Sequence, residues 1–103
     1  MQIGMIMAKA YLIGQVTVTN PEGYAQYSAQ VPASVAAFGG AYRVRGGTAT
    51  QLEGQASGER QVVIEFPSRD DALAWYHSPC YQAILPLRQQ NSEGHIMLVD
   101  GVA

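Results

Sequence analysis

Between Trp75-Tyr76-His77 and Cys80-Tyr81 stands Ser78-Pro79, a pair that stops one helix and starts another. Serine is a strong N-cap, and proline fits the first helical position, where a missing N–H costs nothing. Upstream, Ser68-Arg69-Asp70-Asp71 opens a helix, with Asp71 at the third helical position in a variant of the capping box. Ala72, Trp75 and Tyr76 share one face of that helix, which ends near His77. Downstream, Tyr81, Ile84, Leu85 and Arg88 follow one helical stripe, and Pro86 is expected to bend or shorten it. The second half of the chain therefore carries one helical layer made of two pieces.

The remaining segments are read around that layer. Lys9 to Thr19 alternates as a strand, with Leu12, Gly14, Val16 and Val18 on one side and Tyr11, Ile13, Gln15 and Thr17 on the other. Neither side is wholly polar, as expected of a strand covered on both faces. Asn20-Pro21-Glu22 opens a first helix, with Asn20 as its cap. Tyr24, Tyr27, Val31, Val35 and Phe38 form its buried stripe. Pro32 is expected to kink or interrupt it, and Gly39-Gly40 ends it with one glycine in the left-handed conformation. Ala41 to Arg45 is a second strand, followed by a bulge or bend at Gly46-Gly47, after which Thr48 to Leu52 resumes extended character. Glu53 to Glu59 is an exposed hairpin loop. Arg60 to Phe66 is a third strand, stopped by Pro67. Asn91 to Gly94 reads as a turn and His95 to Val99 as the last strand.

The order is β-α-β-β-α-β. With right-handed crossovers it gives a four-stranded antiparallel sheet with every helix on one face, an α+β ferredoxin-like arrangement. The opposite face is bare in a monomer, and Tyr11, Ile13 and Val63 place apolar surface on it. Two sheets packed face to face cover that surface, so a homodimer is expected.

A chain of 103 residues is too short to divide into two adequate cores, so residues 8–103 are read as a single domain. Residues 1–7, crowded with Met1, Met5 and Met7, are an extension with no assigned role. Only 14% of residues are charged, which again suggests a surface covered by a partner subunit. The net charge is −2 with no basic run, which argues against a nucleic-acid partner. No apolar run approaches the ~20 residues of a membrane span. Lys9 follows the first apolar residues, which argues against a signal peptide. The single Cys80 excludes an internal disulfide and fits a reducing, cytoplasmic setting.

Several fragments together resemble a known family, the bacterial domain of unknown function 1330, within the dimeric α+β barrel superfamily. They are Val18-Thr19-Asn20-Pro21-Glu22-Gly23-Tyr24, Gly39-Gly40, Arg45-Gly46-Gly47, Val63-Ile64-Glu65-Phe66-Pro67-Ser68, Ala74-Trp75-Tyr76-His77-Ser78-Pro79, and Tyr81-Gln82 with Leu87-Arg88. The similarity runs over almost all of Lys9 to Gly101. It implies a ferredoxin-like protomer, a homodimer and a cleft beside the sheet, and it brings no established activity. Members often carry an acidic residue after the Ser-Pro pair, where this chain has Cys80.

The candidates for chemistry are few. Cys80 falls at the second position of a helix, a place that favours a thiolate, and His77 lies three residues upstream. Against a catalytic Cys80 stands its reading as a small packed residue at a helix start. Against an acid/base His77 stands a polar residue ending a helix. His95 reads as surface. Two histidines and one cysteine at these spacings match no zinc pattern, so no metal and no cofactor is expected.

Arg43 and Arg45 are read on one side of the second strand, where Arg45 either holds an anion or pairs with Glu65 on the neighbouring strand. The expected ligand site is a cleft bordered by Arg45, Tyr76, His77 and Tyr81, taking a small anionic or aromatic organic molecule. The alternative is a cofactor-independent enzyme, oxygenase- or isomerase-like, using His77 or Cys80, by analogy with related barrels.

Overall fold

The computed structural model describes residues 8–103; the extension at 1–7 lies outside the described residues. Its elements are β1 (Ala10–Val18), α1 (Pro21–Ala36), β2 (Ala41–Arg45), β3 (Arg60–Phe66), α2 (Arg69–Tyr76), α3 (Pro79–Asn91) and β4 (Ser92–Asp100). The strands form one antiparallel sheet in the order β2-β3-β1-β4. This is the ferredoxin-like order expected from the sequence, with the second helical layer split into α2 and α3 at Ser78-Pro79.

The joint is built as its residues dictate. The Ser78 hydroxyl accepts from Tyr81 N–H at 3.3 Å and donates to the Trp75 carbonyl at 2.7 Å, tying the end of α2 to the start of α3. At the start of α2, Ser68 Oγ accepts from Asp71 N–H at 3.1 Å. Asn20 occupies the cap position of α1, but its side chain makes no capping bond. Gly39 closes that helix at φ 77°, and Gly40 N–H returns to the Val35 carbonyl.

Ala10, Leu12 and Val16 of β1 meet Ile64 and Phe66 of β3 beneath Tyr24, Tyr27, Val31 and Val35 of α1. Trp75 is fully buried, its ring centroid 5.4 Å from Phe66 and 4.1 Å from Tyr81. Its indole N–H donates to Ser34 Oγ at 3.0 Å, and Ser34 passes a bond on to the Val31 carbonyl. The one polar atom of the largest core side chain is thereby satisfied.

Four local expectations are corrected. Pro32 and Pro86 interrupt neither helix: α1 runs from Pro21 to Ala36 and α3 from Pro79 to Asn91. The turn at Asn91–Gly94 is absent, because α3 continues to Asn91 and β4 begins at Ser92. The Asn91 carbonyl accepts from the N–H groups of Thr19 and Asn20, which locks that junction against the end of β1. Thr48 to Leu52 forms no strand, so residues 46–59 are one long exposed connection. Finally, the irregularity of β2 falls between Tyr42 and Val44 and not at Gly46-Gly47. One extra residue, Arg43, is inserted there, and the alternation of side chains shifts with it. Arg43 consequently reaches Glu65 on the helix-free face at 2.9 Å, whereas Arg45 turns to the helix side.

The helix-free face carries Tyr11 and Ile13 of β1, Val63 and Glu65 of β3, and Met97 and Val99 of β4, as the strand register requires. Met97 and Val99 are 53% and 39% exposed, and Val44 on β2 is 38% exposed. Glu65 is the polar centre of this face, held by Arg43, Tyr11 and Lys9.

Candidate functional site

The cavity on the helix side is floored by the sheet. Leu12, Gly14 and Val16 of β1, Val62 and Ile64 of β3, and Ile96 of β4 supply the apolar base, and Tyr24, Tyr27 and Val31 of α1 form the roof. Gly14 contributes by what it lacks: a Cβ there would come within 3.1 Å of the Ile96 side chain. The enclosed space is about 30 Å³, room for roughly one or two waters.

Three guanidinium groups border it, from Arg45 on β2, Arg60 on β3 and Arg88 on α3. Arg45 donates through Nη2 to the Ser28 carbonyl at 2.8 Å and lies over the Tyr42 ring, 5.0 Å from its centroid. Arg60 lies over Tyr24 at 5.6 Å. Gly46, at φ 73°, leaves the room Arg60 needs, because a Cβ there would clash with the guanidinium. The Nε atoms of Arg60 and Arg88 are buried and meet no hydrogen-bond acceptor among the described residues. None of the three arginines pairs with a carboxylate among the described residues; the ion pairs formed there are Lys9–Glu65, Arg43–Glu65 and Arg69–Asp100.

The tyrosines do not neutralise this charge. Burial, reinforced by the neighbouring Tyr81 hydroxyl, pushes the Tyr27 phenol well above its ordinary range. The two hydroxyls share a hydrogen bond of 2.8 Å. Burial also raises Tyr42, against the opposing pull of Arg45. Burial works to lower the Arg88 pKa, but Tyr81 and Tyr27 outweigh it and leave it raised. The cavity is thus a cationic pocket on an apolar floor, lined by no carboxylate, histidine or thiol among the described residues.

Of the residues expected to border one cleft, Arg45 lines this cavity. Tyr81 sits behind its wall, buried against Trp75 and sharing a hydrogen bond with Tyr27. Tyr76 and His77 line a different hollow of about 230 Å³, with Leu73 of α2 and Met97 and Leu98 of β4. Cys80 is exposed in a third hollow between α1 and α3, beside Gln30, Ser34 and Ile84. Its sulfur is 3.4 Å from Ser78 Oγ. His77 and Cys80 therefore border separate surfaces, and the pair is not assembled around a common space. The pairing of Arg45 with Glu65 is not formed either, since Arg43 takes that carboxylate.

Sequence reasoning passed over Arg60 and Arg88 as site residues, although a signal existed for both. Arg60 shares the parity of Val62, Ile64 and Phe66, the core side of β3, and Arg88 lies on the buried stripe of Tyr81, Ile84 and Leu85. A charged residue on an apolar stripe was the mark.

Several solved structures share this fold. The RPA0582 protein of unknown function from Rhodopseudomonas palustris superposes with a TM-score of 0.77 at 16% identity, over 93% of this chain and 84% of that one. A dimeric ferredoxin-like protein of unknown function from Thermobifida fusca gives 0.61 at 15% identity, over 99% and 97%. SnoaB, a cofactor-independent oxygenase from Streptomyces nogalater, gives 0.60 at 13% identity, over 93% and 95%. At these identities the likeness is one of fold. No curated protein matches the sequence significantly. The sequence profile of the domain of unknown function DUF1330 matches residues 9–102, and the chain belongs to that family.

Proposed function

We propose that this protein binds a small anionic organic molecule in the cavity between α1 and the sheet, as a homodimer joined through the helix-free faces. One observation carries the reading: Arg45, Arg60 and Arg88 border an apolar-floored cavity whose lining includes no carboxylate among the described residues. Uncompensated guanidinium groups favour an anion, and an apolar floor with a few fixed polar groups is the usual make-up of a small-ligand site. Because the cavity lies on the helix side of the sheet, pairing through the other face does not cover it. The lone exposed Cys80 suits the reducing conditions of a cytoplasm.

Catalysis by His77 or Cys80 has less support, since neither lines the arginine cavity. The fold likeness to a cofactor-independent oxygenase carries no residue across at 13% identity. The test is a calorimetric screen of small carboxylic acids. Loss of a charge-assisted contact is worth roughly ten- to a hundred-fold in affinity, so Arg45→Ala should weaken the best binder by about that factor with the fold retained. Affinity unchanged in Arg45→Ala, or a screen without a single binder, overturns the reading.

A further inference from the structure

We infer that residues 46–59 form an arm that clasps a second copy of this chain, lying over the far end of the partner's sheet beside the partner's Lys9 and the partner's Arg43. This rests on the reading above that two protomers join through their helix-free faces, and it names the axis of that pairing and the residues that set it.

The connection between β2 and β3 is long for a compact domain, and connections of that length usually serve a function. It does not trail away from the sheet. Its return limb passes so close to β1 that a Cβ on Gly58, at φ 101°, would come within 2.8 Å of the Val16 nitrogen. Gln61 Nε2 donates to the Gly58 carbonyl at 3.1 Å. Residues 49–51 and 55–59 enclose a hollow of about 520 Å³ together with Gln15 and Gln61. Those two glutamines oppose each other in the β1–β3 register and share the parity of Ile13 and Val63, which places the hollow on the helix-free face. The arm is a raised wall at one end of the face that pairs.

Charge selects what the wall meets. The arm carries Glu53 and Glu59 and no cation. Neither carboxylate forms an ion pair among the described residues. At the opposite end of the same face Lys9 and Arg43 share the one carboxylate of Glu65, two cations against one anion, and both stay more than half exposed. A two-fold axis along the strands would set arm on arm and cation cluster on cation cluster. An axis across the strands instead lays each acidic arm over the partner's cationic end and avoids the like-charge contacts. That axis also keeps β2 and β3 over the same two strands of the partner, which are the strands carrying Arg43 and Glu65. Leu52, 88% exposed beside Glu53, gains a surface to pack on.

Lys9 is the only lysine of the chain, which makes the contact readable. The experiment treats the full chain at micromolar concentration with a water-soluble carbodiimide, which joins an amine to a carboxylate in direct contact. Denaturing electrophoresis should show a covalent dimer that is absent in Lys9→Arg, and peptide mass spectrometry should place its link between Lys9 and Glu53 or Glu59. A link from Lys9 to Glu65 within one chain adds no dimer mass. Sedimentation supplies the second readout. Glu53→Gln combined with Glu59→Gln should weaken the dimer roughly five-fold at low ionic strength, with the loss shrinking at high salt as the charges are screened. Should the dimer be too tight to dissociate, the cross-link decides alone. A covalent dimer joined only through other carboxylates, or a dimer that yields no inter-chain link, overturns the clasp while sparing the face-to-face pairing. A double variant measured to be as tightly dimeric as the parent at low salt does the same. A parent protein that sediments as a monomer removes both.

Discussion

Arg45 Nη2 donates at 2.8 Å to the carbonyl of Ser28, the helical acceptor that Pro32 cannot serve. Proline has no N–H for the residue four before it, so the Ser28 carbonyl needs a partner from outside α1. The bulge in β2 brings that partner, because it rotates Arg45 to the helix side. A helix with an internal proline stays intact by borrowing a donor from the sheet. The same bond fixes the direction of a cavity arginine.

The two residues should therefore be energetically coupled. In the parent protein Arg45→Ala should cost ~0.5–1 kcal/mol, the usual scale for a partly exposed hydrogen bond. In a Pro32→Ala background, where residue 32 supplies its own N–H to Ser28, the same change should cost close to nothing. Urea unfolding of the two single variants and the double variant measures this. Additive effects would mean that the Arg45 bond contributes nothing that the helix lacks.

Glu65 predicts the acid behaviour. Hydrogen bonding from Arg43, strengthened by Tyr11 and Lys9 against the opposing effect of desolvation, lowers its pKa from 4.5 to about 2. A carboxylate whose folded pKa is depressed stabilises above its unfolded value, and that contribution fades as pH falls through the folded one. The stability due to Glu65 should be complete above about pH 4.5 and lost on approach to pH 2. Glu65→Gln should flatten that part of the stability curve and leave the slope elsewhere unaltered. An identical acid limb in the variant would assign the loss to other carboxylates.

How much of this was legible beforehand depended on whether the signal was local. Ser68 and Ser78 announce helix starts because a cap is satisfied within three residues, and both bonds form as read. Pro32 and Pro86 misled because their cost depends on who else can reach the freed carbonyl, which for Pro32 is a residue on another element. The bulge at Tyr42/Val44 leaves no mark in Ala41–Arg45, and a one-residue shift was enough to put Arg43 and Arg45 on opposite faces. Arg45, singled out by its neighbourhood to Gly46-Gly47, lines the cavity under α1, while Tyr76 and His77 line another hollow, because where a helix end faces is set by packing and not by sequence order.

Cys80 offers a test of surface chemistry. It is exposed, with Ser78 Oγ as its hydrogen-bonding neighbour. The reading of it as a small packed residue at a helix start would require protection until unfolding. Exposure instead predicts complete labelling of the native protein by a maleimide, and a change of less than about 0.5 kcal/mol in Cys80→Ser, as is usual for surface positions. Labelling that waits for denaturant would show that a partner covers this hollow.

The helix-free face predicts assembly. Ile13 stands at its centre, opposite Val63 on one side and Met97 on the other, and Val44 and Val99 extend the apolar surface outward. Apolar surface left in water costs roughly 25 cal/mol per Å², and here it is contributed by all four strands. Packing against a second copy removes it, with Glu65, Arg43 and Lys9 available as polar contacts. Sedimentation at micromolar concentration should give twice the chain mass for the parent protein. Ile13→Glu places a charge where two faces would meet and should return the mass to that of one chain. Its helical circular dichroism should persist, since Ile13 points away from the helices and the core beneath α1 is untouched. A parent protein that sediments as a monomer, or an Ile13→Glu variant that stays dimeric, would move the interface elsewhere or remove it.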